Sequence, residues 1–183
     1  MGNIYLFLAD GFEEVEALGT VDVLRRAGLP VKTVSIIDQL EVTSSHGVSV
    51  KADMLFDEEA LRDAEMLVLP GGMPGSLNLS EHEGLRRIIL AFSAAGKPLA
   101  AICAAPMVYG KLGLLKDKKA TCYPGFEKFL EGAQYTGALV EHDGNFITGK
   151  GPGATFEFAL AIVAKFCGKD KVCLLYTSPS PRD

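Results

Sequence analysis

The chain has no surplus of basic residues. Its 18 Lys and Arg stand against 23 Asp and Glu, for a formal charge of −5 and a pI near 5.3. A nucleic-acid binder depends on a basic face, so that class is set aside. No stretch approaches the roughly 20 uninterrupted apolar residues that a membrane-spanning helix needs. The short apolar run Ile4–Ala9 has no basic segment ahead of it and ends at Asp10, which predicts a first strand and not a signal peptide. Histidine is scarce, and His46, His82 and His142 lie far in sequence from the four cysteines. Cys103, Cys122, Cys167 and Cys173 lack Cys-x-x-Cys spacing, so neither a zinc site nor a disulfide framework is expected, and a reducing cytoplasm is the natural compartment. The glycine-rich stretch GKGPGATFEF lacks both the Gly-Lys-Ser/Thr ending and the G-x-G-x-x-G spacing of phosphate loops. Close packing of a strand against a helix is the reading it favours.

What is present is the composition of a globular protein, 48% apolar and 22% charged over 183 residues, enough for one domain with a substantial core. Short apolar runs predict strands at Ile4–Ala9, Val31–Ile37, Met66–Leu69, Pro98–Ile102 and Asn145–Thr148, with a hairpin at Glu41–Thr43 and Val48–Lys51. Helical patterns fall at Glu13–Ala27, Glu81–Ala95, Ala104–Lys111, Gly125–Leu130 and Gly153–Phe166. Gly28 and Pro30 close the first helix, and Ser80 with Glu83 reads as a capping box for the second. Apolar strands alternating with helices give an α/β sandwich, a mostly parallel sheet with helices on both faces. Past Gly168 the sequence KDKVCLLYTSPSPRD shows no helical period, and its last ten residues resemble a cloning scar. The expected domain is therefore 1–168, with 169–183 a non-helical tail.

Reactive groups in such sheets collect at the carboxyl ends of the strands. There Cys103 sits between a strand and a helix starting at Ala104, on a turn like a nucleophile elbow, with a helix N-terminus to favour the thiolate. An inert buried cysteine is the other reading of that position. Cys122 is placed inside a strand, Cys167 at a helix end and Cys173 beside the tail. Gly71 and Gly72 end another strand, where the chain can turn sharply and aim N–H groups outward. The Gly72 and Ala104 amides could form an oxyanion hole, or the glycines could serve a simple turn. Three carboxylates follow the first strand. Glu13 and Glu14 suit a helix start, whereas Glu16 falls on a ridge with Thr20, Val23 and Ala27 that faces inward. A buried carboxyl without a cation tends to stay protonated and can donate to a thiolate.

The stretches GFEEVEAL, VLPGGMPGSLNLSE, AAICAAP and KGPGATFEFALAIV, in this order and spacing, resemble the ThiJ/PfpI superfamily, in its deglycase branch containing the parkinsonism-associated protein. The resemblance spans about Ile4 to Gly168. It implies a flavodoxin-like three-layer sandwich, usually homodimeric, without a cofactor or metal. It also implies a reactive Cys103, a protonated Glu16 and oxyanion-hole amides at Gly72 and Ala104. The activities it implies are conversion of methylglyoxal to lactate, a glutathione-independent glyoxalase reaction on small 2-oxoaldehydes, and protein deglycation. Peroxide sensing through a Cys103 sulfinate, or chaperone action, is the alternative. Two departures stand out. Tyr123 replaces the histidine many relatives carry near the nucleophile, and the Ser/Pro tail stands where relatives continue into another helix. A peptidase is disfavoured because Ala104, not histidine, follows the cysteine. An amidotransferase is disfavoured because no His-x-Glu follows it; His142 reads as part of a surface turn.

Overall fold

The computed structural model describes residues 2–177. In chain order the strands are β1 (Ile4–Leu8), β2 (Val31–Ser35), β3 (Glu41–Thr43), β4 (Ser49–Lys51), β5 (Met54–Leu55), β6 (Met66–Leu69), β7 (Leu99–Ile102), β8 (Lys119–Ala120), β9 (Gln134–Tyr135), β10 (Val140–Asp143) and β11 (Phe146–Gly149). The helices are α1 (Glu14–Arg26), α2 (Gly75–Glu81), α3 (Glu83–Ala94), α4 (Pro106–Lys111) and α5 (Thr155–Thr177). Seven strands form one sheet in the order β10-β11-β7-β6-β1-β2-β5, and every pairing but β10 with β11 is parallel. β3 and β4 form the expected antiparallel hairpin.

Strand side chains alternate between two apolar layers, as a pleat buried on both faces requires. From β1, Ile4, Leu6 and Leu8 point to the layer shared with Leu24 of α1 and Phe158 and Ile162 of α5. Tyr5 and Phe7 point to the other, with Leu79, Leu85, Ile89 and Val108 from α2, α3 and α4. The fold is the flavodoxin-like α/β sandwich. Successive strands are added outward in opposite directions from the parallel β1–β6 pair, and that switch point is the crevice where open parallel sheets place their sites.

The structure departs from the sequence expectations in several places. The second helix begins at His82, whose Nδ1 accepts from the Leu85 N–H at 3.0 Å, so no Ser80–Glu83 box forms. Ser80 instead lies in the last turn of α2, its hydroxyl donating to the Leu77 carbonyl at 2.8 Å. Residues 125–130 make only a 3₁₀ turn, Glu127–Phe129, because Gly125 takes a left-handed φ of 96°. Ala104 and Ala105 form a turn before α4. Cys122 lies just past β8, and His142 lies in β10 and not in the turn beyond it. The clearest correction concerns the tail. Gly168 (φ 79°, ψ 170°) kinks the chain, and helix resumes through Thr177. Val172 and Leu175, three apart and so on one face, pack against the α1–α5 core. The prolines that argued against helix are Pro179 and Pro181, outside the described residues, as is most of the supposed scar.

Candidate active site

Three strand ends meet at the crevice. After β1 the chain turns through Gly11, and Glu13 becomes the N-cap of α1, its carboxylate accepting from the Glu16 N–H at 2.7 Å. The same residue donates its own N–H to the Gly71 carbonyl at 3.0 Å. After β6 the Gly71–Gly72 backbone lies directly on that turn. A Cβ added at Gly72 would meet the Glu13 nitrogen at 2.4 Å, and its φ of 89° favours glycine in any case. The close approach brings the Gly71 N–H to the Oε2 of the fully buried Glu16, at 2.8 Å.

Cys103 follows β7 with a φ of 66°, one of two non-glycine residues in the left-handed region among the described residues. That conformation costs a cysteine roughly 1–2 kcal/mol. It is held by two backbone bonds: Cys103 N–H donates to the Gly149 carbonyl at 2.9 Å, and the Tyr123 N–H donates to the Cys103 carbonyl at 2.8 Å. The residue is 8% exposed. The side chain is thereby turned toward Gly71, where an added Cβ would lie 2.5 Å from the Cys103 Cβ and 2.6 Å from Glu16 Oε2. Only glycine fits between thiol and carboxyl.

Burial raises the Glu16 carboxyl from an ordinary 4.5 to about 7. The thiol of Cys103 is also raised, first by burial and then by the negative charge of Glu16, while the Gly72 and Ala104 amides pull it down. Oε1 of Glu16 is buried with no well-formed hydrogen bond, although the carboxyl lies close enough to the thiol for a weak one. The crevice therefore favours a single negative charge shared by the two groups. While Glu16 is charged, that charge and burial together oppose the thiolate that the amides favour.

The family model for the DJ-1/PfpI family matches residues 2–165, a span that contains every residue of this crevice. The chain belongs to the DJ-1/PfpI family. It is 36% identical to protein dj-1beta of Drosophila melanogaster, over 91% of this chain and 90% of that one. It is 34% identical to a Pyrococcus horikoshii protein named as a deglycase, over 84% and 93%. At 42% identity it also matches DJ-1 homolog B of Arabidopsis thaliana, but spans only 39% of that protein's length. Among solved structures it superposes with a TM-score of 0.88 on Toxoplasma gondii DJ-1, described as oxidized, at 32% identity over 96% of each chain. A DJ-1 superfamily protein from Salmonella typhimurium also gives 0.88, at 36% identity over 94% and 95%.

Within this DJ-1/PfpI fold, Cys103, Glu16, Gly72 and Ala104 come together. Tyr123 joins them through its backbone, with its side chain 46% exposed at the rim. The other cysteines do not take part: Cys122 packs in the opposite layer, and Cys167 and Cys173 ride on α5. The histidines are engaged elsewhere. His82 caps α3, His142 approaches the Gly144 carbonyl, and His46 pairs with Glu14 at 2.8 Å. Glu13, Glu14 and His46 offer ligand atoms within 4.8 Å of one another, yet Glu13 is committed to its cap and Glu14 to His46. Two contributors were missed in the sequence. Glu13 positions the Glu16 backbone, and Gly149 anchors Cys103. The glycine of the GKGPG stretch was a visible signal for the second, since a Cβ there would meet Ile102 at 2.8 Å.

Proposed function

We propose that the protein is a cofactor-independent cysteine enzyme that converts small 2-oxoaldehydes to 2-hydroxy acids, with methylglyoxal giving lactate. The observation that carries this reading is the Cys103–Gly71–Glu16 sandwich, a nucleophile and a near-neutral carboxyl separated by one glycine backbone. Moving the thiol proton to Glu16 leaves the one negative charge on sulfur, beside the Gly72 and Ala104 amides. The thiolate adds to the aldehyde carbon, forming a C–S bond, and those amides receive the new oxyanion. Glu16 gives the thiol's proton to that oxyanion and, now a carboxylate, takes the proton from the same carbon and returns it to the neighbouring one through an enediol, leaving a thioester of the 2-hydroxy acid. Water hydrolyses the thioester and restores the thiol. Oxygen, hydrogen and electrons balance without an external oxidant or reductant. Tyrosine is a poor proton acceptor near neutral pH, so Tyr123 takes no base role. The name of the Pyrococcus relative supports a related reaction, deglycation of protein adducts, at the same two residues.

A homodimer is part of the proposal. Val15 and Leu18, three apart on α1, and Phe156 of α5, next to the Thr155 that packs on Gly19, are exposed apolar side chains, and light scattering should return twice the chain mass. No described helix is long and apolar enough to cross a membrane.

Purified protein is expected to form lactate from methylglyoxal without glutathione or added metal. Unchanged turnover in both Cys103→Ser and Glu16→Gln would sink the mechanism. A second reading, a redox sensor, is favoured by the oxidized Toxoplasma structure and by the amides facing the sulfur. There, peroxide should add two oxygens to Cys103 first, with a protonated Glu16 donating to the sulfinate. Oxidation of another cysteine ahead of Cys103 would reject it.

A further inference from the structure

An open apolar recess borders the backbone segments that hold Cys103. It holds about 300 Å³ and is lined by Tyr123, Pro124, Leu139, Lys150, Pro152 and Ala154. Two of its walls hang from the nucleophile's own backbone. One follows the Tyr123 N–H bonded to the Cys103 carbonyl at 2.8 Å; the other follows Gly149, whose carbonyl accepts from Cys103 at 2.9 Å. The Tyr123 ring lies along Gly151, where an added Cβ would sit 3.1 Å from its Cδ2, so the ring forms a wall. The one cation, Lys150, has its ammonium tied to the Gly137 carbonyl at 3.1 Å. No carboxylate lines the space. Leu139 is 54% exposed and Tyr123 46%, leaving apolar surface uncovered next to the candidate nucleophile.

An apolar surface of this kind, open to solvent, can cover one face of an aromatic ring. We propose that the recess is a substituent subsite and that the preferred substrates are 2-oxoaldehydes bearing an aromatic or bulky apolar group. Tyr123 and Leu139 are its specificity-determining residues, the first offering a ring edge or face and the second an aliphatic contact. The inference rests on reading Cys103 as a nucleophile toward 2-oxoaldehydes and adds the substrate class. It also gives a physical role to the tyrosine that stands where relatives carry histidine.

The test compares phenylglyoxal with methylglyoxal on wild type, Leu139→Asp and Tyr123→Ser. The side chain of Leu139 is largely exposed, so the aspartate variant is expected to fold. Tyr123→Ser removes the ring and keeps the backbone bond to Cys103. Each variant should lower the ratio of kcat/KM values, phenylglyoxal over methylglyoxal, by about tenfold, mainly through the phenylglyoxal KM. A second arm reads the recess without turnover: the alkylation rate of Cys103 by phenacyl bromide relative to iodoacetamide, followed by peptide mass spectrometry. That ratio should fall in the same two variants. If neither aldehyde is turned over but the alkylation ratio falls, the recess stands and the reaction does not. If both ratios match wild type in both variants, the subsite is refuted whatever the turnover.

Discussion

Replacing Glu16 by glutamine should make the protein more stable and less active at once. Glu16 is fully buried, and its carboxyl is raised from 4.5 to about 7. Below pH 4.5 the folded and unfolded chains both hold that proton; between 4.5 and about 7 only the folded chain does. Stability must then fall as pH rises through this window, and at 1.36 kcal/mol per pH unit the loss reaches about 3 kcal/mol. Glutamine carries no such cost. Its amide oxygen can still accept from the Gly71 N–H, and its NH₂ can still donate toward Cys103. At pH 8, Glu16→Gln should therefore exceed wild type by about 3 kcal/mol, or roughly 6–12 °C in Tm for a chain of this size. At pH 5 the gap should shrink below about 1 kcal/mol. Urea titrations of both proteins at the two pH values, with lactate formation followed in parallel, measure this directly. A stability difference that does not change with pH, or a glutamine variant less stable at pH 8, refutes the buried, near-neutral carboxyl. Turnover should fall roughly 10²–10⁴-fold, the contribution of a positioned acid–base group.

Other perturbations probe different links. Gly71→Ala forces a methyl to within 2.6 Å of both the Cys103 Cβ and Glu16 Oε2, and should cost about 1–3 kcal/mol in urea titration while abolishing turnover. His82→Ala removes the cap of α3, with an expected loss of about 1 kcal/mol at pH 7.5 by thermal melting. Burial and the nearby Arg87 hold the His82 imidazole below its usual range, against the opposing charge of Glu58. Its contribution is present above pH 6.5 and is lost as pH falls below that, so wild type and His82→Ala should converge in acid. Truncation after Gly168 uncovers the core under Val172 and Leu175 and should lower stability by about 2 kcal/mol; an unchanged melting curve would make the terminal helix dispensable.

Much of this was legible in the residues. Strands such as Met66–Leu69 and Ile4–Leu8 announce themselves because burial on both faces demands unbroken apolar runs. Glu16 was separable from Glu13 and Glu14 by helical period alone, since a 100° step carries it onto the Thr20–Val23 ridge. Cys103 was placed by the strand-to-helix junction, and its positive φ matches the sharp turn expected there. What the residues did not disclose depends on distant partners. Glu13 was legible as part of a helix start, but nothing local shows that it would be buried, or that His82 would outcompete Ser80 as a cap. The resumption of helix after Gly168 hangs on Val172 and Leu175 finding a core built by α1, and two nearby prolines masked that signal. The raised Cys103 thiol was hidden for the same reason: burial and the charge of Glu16 outweigh the helix end, and neither can be summed from sequence spacing.

The central claim is that Cys103 carries the chemistry, and steady-state conversion of methylglyoxal by wild type and Cys103→Ala tests it most directly. Wild type should consume methylglyoxal and release one lactate for each molecule lost, with neither glutathione nor metal added, while Cys103→Ala should fall by about 10³-fold or more. Lactate formation by Cys103→Ala at the wild-type rate would contradict it.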